Sequence, residues 1–467
     1  MLIAMLISNW RFFEMSTIKA PPPTLLSPYT TIIEKHMGMF EVYLELAQAI
    51  DIKGRYQHFD ELRFRWPKGV DPQLAWAVVK AERQKQQRPL LSLGAPALPC
   101  PLLYTPAMHI AISACDQHTT TAALEWMCSR IGEEKHLQYL LKDLIEDEAI
   151  SSSQLEGAAT TTKAAKELLK RVRGARTPDE KMIIGNFKMM KLAWECRDRE
   201  LSLELINELH QAGVEGIDDE HYRPGALRND DSVVIEDGRG DVVHQPPPAK
   251  NLEGRLRLIC EWINTNHSDM NNLNYIHPLV KAIILHFAIG FEHPFHDGNG
   301  RVARSLFYWY LFKRGFGAFR YIAISTLLKT APIQYGKSYL YTETDDMDLT
   351  YFVDYQCRVI TRAISEFKKT YEATVESMTR FNTFLYESGL YSTLSEKQRV
   401  IFNVAKYGAA QQFTVTGVKD NLGCAYNTAA TVLSGLVDLN LFRKRKVGNE
   451  WIYEMMDTTS IQKNWKA

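Results

Sequence analysis

Apolar residues recur at helical spacing through Leu279, Val280, Ile283, Ile284, Phe287, Ala288 and Phe291, with so few polar interruptions that this helix must be buried. Gly298 and Gly300 end that regularity, and a second apolar run, Leu306 to Phe312, resumes helix. The stretch between, His293-Pro294-Phe295-His296-Asp297-Gly298-Asn299-Gly300-Arg301-Val302-Ala303-Arg304, is therefore a helix end, a tight glycine turn and the first turn of a second helix. Helical periods also cover Ile32–Ile50, Trp76–Lys85, Glu146–Glu156, Thr160–Arg173, Met182–Trp194, Leu201–Leu209, the segment after Pro332 and Phe352–Tyr371. Pro89 to Pro106 reads as a proline-rich connector. Two β-branched runs, Ser232–Glu236 and Asp241–His244, flank Asp237-Gly238-Arg239-Gly240 and predict a hairpin.

The glycine turn is where chemistry concentrates. Arg301 and Arg304 share one face of a first helical turn, where cations oppose the helix dipole. An anion held between them and the unbonded N–H groups of the turn offsets that cost. Backbone brought close to phosphate needs residues without a Cβ, and Gly298 and Gly300 supply them. Asp297 adds an oxygen ligand suited to Mg²⁺ bridging protein and phosphates, and His293 can take a proton near neutral pH. The constellation reads as nucleotide, metal and base.

At every specified position, His293 to Arg304 resembles the signature of the Fic family, His-Pro-Phe-x-Asp/Glu-Gly-Asn-Gly-Arg-x-x-Arg. The resemblance implies a mainly α fold and transfer of AMP from ATP to a hydroxyl of a target protein. It implies His293 as the base, Asp297 as the Mg²⁺ ligand, Gly298, Asn299 and Gly300 as the anion hole, and Arg301 and Arg304 on the β- and γ-phosphates. Upstream, Ser152-x-x-x-Glu156-Gly157 ends a predicted helix with a carboxylate on the wrong end of its dipole. It resembles the family's inhibitory motif, in which the glutamate pairs bidentately with the second signature arginine, here Arg304, and takes the place of the γ-phosphate. A solvated helix end is the plainer reading. The same resemblance puts the target-docking flap at the hairpin, with Val233, Val234, Ile235, Val242, Val243 and His244 offering main chain to a target segment. An ordinary surface hairpin is the alternative. Tyr335, Tyr339 and Tyr341 suit either an adenine wall or the core, and Tyr56 to Arg63 resembles a segment carried by one bacterial subgroup of Fic proteins.

Near the end, Ser395-Glu396-Lys397 starts a helix through Val404, Thr414 starts a short one to Leu422, and Ala425 to Leu439 makes a third. Leu441–Lys446 and Trp451–Tyr453 then bracket Gly448-Asn449 as a hairpin, so this part resembles a winged helix. Its Arg443–Lys446 run suits DNA phosphates or a solvated basic strand. Lys and Arg balance Asp and Glu at 55 each, so no global field points to nucleic acid or membrane. Seven scattered cysteines argue against a disulfide framework. Histidines 277, 286, 293 and 296 have no acidic or cysteine ligands at zinc spacing, and His286 reads as core. The apolar run Met1–Ile7 is too short to span a bilayer, Met15 is an equally good start, and a cytoplasmic location is expected.

The expected organisation is an N-terminal extension and helical domain at 1–130, a Fic catalytic domain at 135–375 with its inhibitory helix at about 145–157, and a winged-helix-like domain at 390–460. The expected fold is mainly α: a Fic helical core with a small β-hairpin flap, plus an N-terminal helical region and a C-terminal winged helix. The expected activity is a self-inhibited adenylyltransferase acting on a Ser, Thr or Tyr hydroxyl of a protein target and of itself, with ATP as substrate and Mg²⁺ as cofactor. Two readings stay open beside it: removal of AMP or transfer of another nucleotide by the same site, and a DNA-binding regulator working through the C-terminal domain. A homodimer is left open as well.

Overall fold

The computed structural model of the chain describes residues 18–25, 27–131, 142–170, 175–217, 222–237, 239–269, 274–406, 412–447 and 450–465. The Met1–Ile7 run, Met15, Gly238, Gly448-Asn449 and the end of the 160–173 helix lie outside the described residues. The chain divides into two compact units, Met1–Thr121 with Leu144–Ile364, and Ala122–Asp143 with Ser365–Ala467. Among the described residues no helix is long and apolar enough to cross a membrane.

The first unit begins with α1 (Pro28–Lys35), α2 (Phe40–Glu45), α3 (Phe59–Leu62) and α4 (Pro72–Gln84). The expected Ile32–Ile50 helix is thus broken, with a 3₁₀ turn at Met37–Met39 between its halves. The expected proline-rich connector is a hairpin of β1 (Arg88–Leu93) and β2 (Leu98–Leu102), with Pro89 opposite Pro101. A two-stranded ribbon tolerates prolines because each strand keeps an outer edge that needs no N–H donor. Then comes α5 (Pro106–His118); α6 (Thr121–Ile131) belongs from Ala122 on to the second unit, and the first resumes with α7 (Lys142–Leu155), α8 (Thr162–Lys170), α9 (Pro178–Glu195) and α10 (Leu203–Val214).

The short antiparallel pair β3 (Ile235–Glu236) and β4 (Val242–His244) follows, then α11 (Leu252–Asn264) and the two central helices. Helix α12 (Pro278–Glu292) starts at His277, whose side chain accepts from the Leu279 N–H, and is buried on all faces as its composition requires. Helix α13 (Asn299–Lys313) packs against it, with α9 and α10 on α13 and α5 and α11 on α12. Lys281, buried in α12, caps the end of α11 by donating to the Ile263 and Thr265 carbonyls at 2.9 and 2.6 Å. Helices α14 (Ile324–Leu328) and α15 (Pro332–Thr344) complete the layer, and α16 (Thr350–Glu387) contributes to both units.

The second unit adds α17 (Leu390–Thr393), α18 (Glu396–Lys406), β5 (Gln412–Phe413), α19 (Val415–Leu422), α20 (Tyr426–Asp438), β6 (Phe442–Val447), β7 (Glu450–Met455) and α21 (Thr458–Asn464). Its sheet has three strands in the order β5-β7-β6, not the two expected. Strand β5 is two residues long, below the length at which alternation can show. Phe402, Val418, Leu433, Leu436 and Phe442 form the core of this unit.

Candidate active site

His293 caps α12 in the left-handed region, at φ 48°. Its Nδ1 lies 3.2 Å from the Gly290 carbonyl oxygen and donates to it, which leaves Nε2 as the proton-accepting nitrogen. Burial pushes the imidazole down to about 3, helped by the neighbouring His244 and Arg228, so it is neutral at physiological pH. The loop after it is pinned from several sides. Asn299 Oδ1 accepts from the Phe295 N–H and Asn299 Nδ2 donates to the Phe295 carbonyl, both at 2.8 Å. The buried Phe295 ring stacks on His210 at 3.7 Å, and His210 Nε2 donates to the Asp297 carbonyl while its Nδ1 accepts from the Gly225 N–H. Asn299 therefore spends its side chain on the loop and has only its backbone N–H for an anion.

The helix ladder of α13 starts with Val302 N–H to Gly298 O, so the N–H groups of Asn299, Gly300 and Arg301 have no partner within the helix. Gly298 holds φ 82° there. Arg301 is wholly buried: Nη1 donates to Gly213 O at 3.1 Å, whereas Nε and Nη2 have no hydrogen-bond acceptor among the described residues. Asp297 stands 3.8 Å from Arg301, with its side chain 40% exposed. Arg304, also buried, donates from Nε to Ser152 Oγ at 2.8 Å and from Nη2 to Glu156 Oε1 at 2.6 Å, leaving Nη1 without a hydrogen-bond acceptor among the described residues. The pair with Glu156 uses one carboxylate oxygen, not the two of the expected fork, because Ser152 occupies Nε. Glu156 leans over the start of α13, where a Cβ on Gly300 would sit 2.2 Å from its Oε1. Gly157 follows at φ 104° and turns the chain away from α7.

Helix α7 is held along its length. Glu148 accepts from Tyr308 Oη and from the Ser325 N–H and Oγ, Ser151 meets Thr326, and Gln154 accepts from Lys329 Nζ at 2.7 Å. Burial raises the Glu148 carboxyl above the usual range.

The hairpin is shorter than expected. Val233 and Val234 lie ahead of β3, because Asp230 accepts from the Ser232 N–H and Asp231 from the Ala249 N–H, which bends the chain until Ile235. Ile235 pairs with His244, and Glu236 with Val242; a register shift lies between these pairs. Val243 is half-buried in β4, and the His244 ring lies 6.5 Å from that of His293. Of the three tyrosines in α15, Tyr341 stacks on His58 and belongs to the core, while Tyr335 bonds His286, also buried. Arg228, which sequence reasoning missed, donates to the His293 carbonyl at 2.8 Å from Nε and to the Pro247 carbonyl from Nη2. Nothing local marks an arginine in an irregular stretch as the tie between two loops.

For a magnesium ion the turn offers the carboxylate of Asp297. Among the described residues no three His, Cys, Asp or Glu side chains gather as a cage. A half-exposed Asp297 beside buried, unpartnered guanidinium donors fits an ion that arrives with phosphates and keeps most of its ligands from them.

Residues 200–311 match the family model described as Fic/DOC family. A protein adenylyltransferase Fic of Nematostella vectensis is 33% identical over 73 residues, 16% of each chain. One of Drosophila ananassae is 26% identical over 202 residues, 43% of this chain and 36% of that one. The match thus spans well under half of these relatives. The crystal structure of a Fic family protein from Desulfovibrio desulfuricans G20 superposes with a TM-score of 0.48 at 16% identity, covering 76% of this chain and 97% of that one. With the signature turn, its anion-ready helix start and the family match on one segment, residues 200–311 form a Fic/DOC family domain.

Proposed function

We propose that this chain is a self-inhibited protein adenylyltransferase that moves AMP from ATP to a Ser, Thr or Tyr hydroxyl of a protein target, itself included. One observation carries the reading: buried guanidinium donors of Arg301 and Arg304 without acceptors among the described residues stand at the N-terminus of α13, across the glycine turn from a neutral histidine, and Glu156 pairs with Arg304 beside them. In this mechanism Arg301 and Arg304 grip the β- and γ-phosphates and the first N–H groups of α13 take the remaining phosphate oxygens. The target hydroxyl loses its proton to His293 Nε2 as its oxygen bonds the α-phosphorus; the bond to the β-phosphate oxygen breaks and pyrophosphate leaves with the electron pair. Asp297 would hold Mg²⁺, which neutralises phosphate charge when bound. The β3–β4 ribbon offers a strand edge to the target, and Glu156 blocks the γ-phosphate's place on Arg304. The names of the Nematostella and Drosophila relatives support the donor.

Transfer of label from α-labelled ATP with Mg²⁺ tests this in wild type, Glu156→Gly and Glu156→Gly/His293→Ala. The expected result is self- or lysate labelling that rises in the single variant and vanishes in the double one. Labelling that persists without His293 overturns the assignment of the base.

A further inference from the structure

We propose that Glu343 is a positioning residue, tying flap strand β4 through His244 to the C-terminal end of α12, and that the Tyr56–Arg63 segment holds the turn of α15 that carries it. The role given to the flap rests on the adenylyltransferase reading; the tie itself rests on geometry.

His244 is buried, with Nδ1 2.7 Å from Glu343 Oε2 and Nε2 3.0 Å from the Phe291 carbonyl oxygen. Both neighbours are acceptors. A neutral imidazole has one N–H and would turn a lone pair on one of them, whereas the imidazolium donates to both. The ring also stands at the C-terminal end of α12, where its N–H to the Phe291 carbonyl takes up one of the helix's last acceptors, with the Glu343 carboxylate on its other side. The other charged or titratable groups nearby are His293 itself and Arg228, which bonds the Glu292 and His293 carbonyls.

The turn of α15 around Glu343 is held from the N-terminal region on either side. Tyr341 stacks on His58 at 4.2 Å with the rings 10° from parallel, and Thr344 Oγ1 meets His58 Nε2 at 3.2 Å. Just beyond the helix, Asp345 accepts from Lys80 at 2.6 Å, and Asp348 from Tyr56 and Gln87 at 2.6 and 2.7 Å. Glu343 faces the flap from this held turn. Strand β4 and the chain just after it are therefore fixed beside His293 at two points, His244 on Phe291 and Pro247 on Arg228. Truncating Glu343 to Ala takes the partner from His244 Nδ1 and loosens the ring at the first point.

The test uses the full chain with ¹⁵N-labelled histidine at neutral pH, with His244→Gln to assign the ring. In wild type both His244 ring nitrogens sit in hydrogen bonds, read from their ¹⁵N shifts; in Glu343→Ala the bond at Nδ1 is gone. Amide exchange across residues 235–244 then speeds about tenfold or more, the scale of one hydrogen bond to a charged group, while α12 and α13 exchange as before. In the Glu156→Gly background, Glu343→Ala lowers self-labelling at saturating ATP with the KM for ATP unchanged. A His244 ring with no hydrogen bond at Nδ1 in wild type, unchanged flap exchange, or a KM for ATP that rises with the loss would each overturn the proposal. Absence of any labelling in Glu156→Gly would count against the adenylyltransferase reading alone, since the ring and exchange measurements do not use ATP.

Discussion

Removing the carboxylate of Glu156 should make the protein less stable alone and more responsive to ATP. Arg304 is 1% exposed and Glu156 23% exposed in the pair. Breaking a fully buried pair costs about 3–5 kcal/mol, but water reaches Glu156 and Arg304 keeps Ser152, so about 2 kcal/mol is expected for Glu156→Gly. At about 2.1 cal/mol/K of unfolding entropy per residue, a unit of this size then melts roughly 3 °C lower. The freed guanidinium joins the unpartnered donors of Arg301, so the triphosphate gains its place. With ATP at 100 times its Kd the stabilisation is about 2.7 kcal/mol, enough to reverse the loss. Thermal unfolding of wild type and Glu156→Gly, with and without a non-hydrolysable ATP analogue, reads both effects. A variant as stable as wild type, or one stabilised no more than wild type by the analogue, would refute the reasoning.

Four further outcomes follow from the same geometry. Gly300→Ala places a Cβ on Glu156 Oε1 and should lower the melting temperature of wild type; in Glu156→Gly only Arg304 Nη1, 3.0 Å away, has to give, so melting falls less while ATP stabilisation is lost. Ser152→Ala removes the acceptor of Arg304 Nε and should cost about 1.5–3 kcal/mol by denaturant unfolding, less when Glu156 is already absent. Burial lowers His58 to about 3 and His210 to about 4, so below an unfolded pKa of about 6.5 the unfolded chain takes up protons that the folded chain refuses. Stability is then present in full above that value and falls with pH, by about 4 kcal/mol for these two at pH 5; a urea midpoint equal at pH 7 and 5 would contradict it. Arg443 and Arg445 both pair with Glu454. If their strand contacts phosphates, Glu454→Gln should tighten binding of labelled duplex DNA and steepen its salt dependence by about two charges; unchanged, negligible binding removes the regulator reading.

The signature turn, the helices on either side of it and the helix carrying Glu156 were legible because each is local. Period, glycine and capping chemistry are written within a dozen residues, and the family signature names the rest. The sequence alone therefore determined the mainly α class, the clustering of His293, Asp297, Arg301 and Arg304, and the pairing partner of Arg304. It did not determine how that pair is made: one oxygen in place of two follows from Ser152 reaching Nε across 152 positions. The Pro89–Pro106 hairpin was hidden because proline lowers strand propensity, yet a ribbon edge asks for no donor. The early end of the flap came from Asp230 and Asp231, whose side chains compete with the ladder. His210, Arg228 and Glu343 carried no signal, being single polar residues whose ties to Gly225, His293 and His244 span 15, 65 and 99 positions. Tertiary structure alone chose them, because a loop built from glycine and backbone has to be held by side chains that only packing can bring to it.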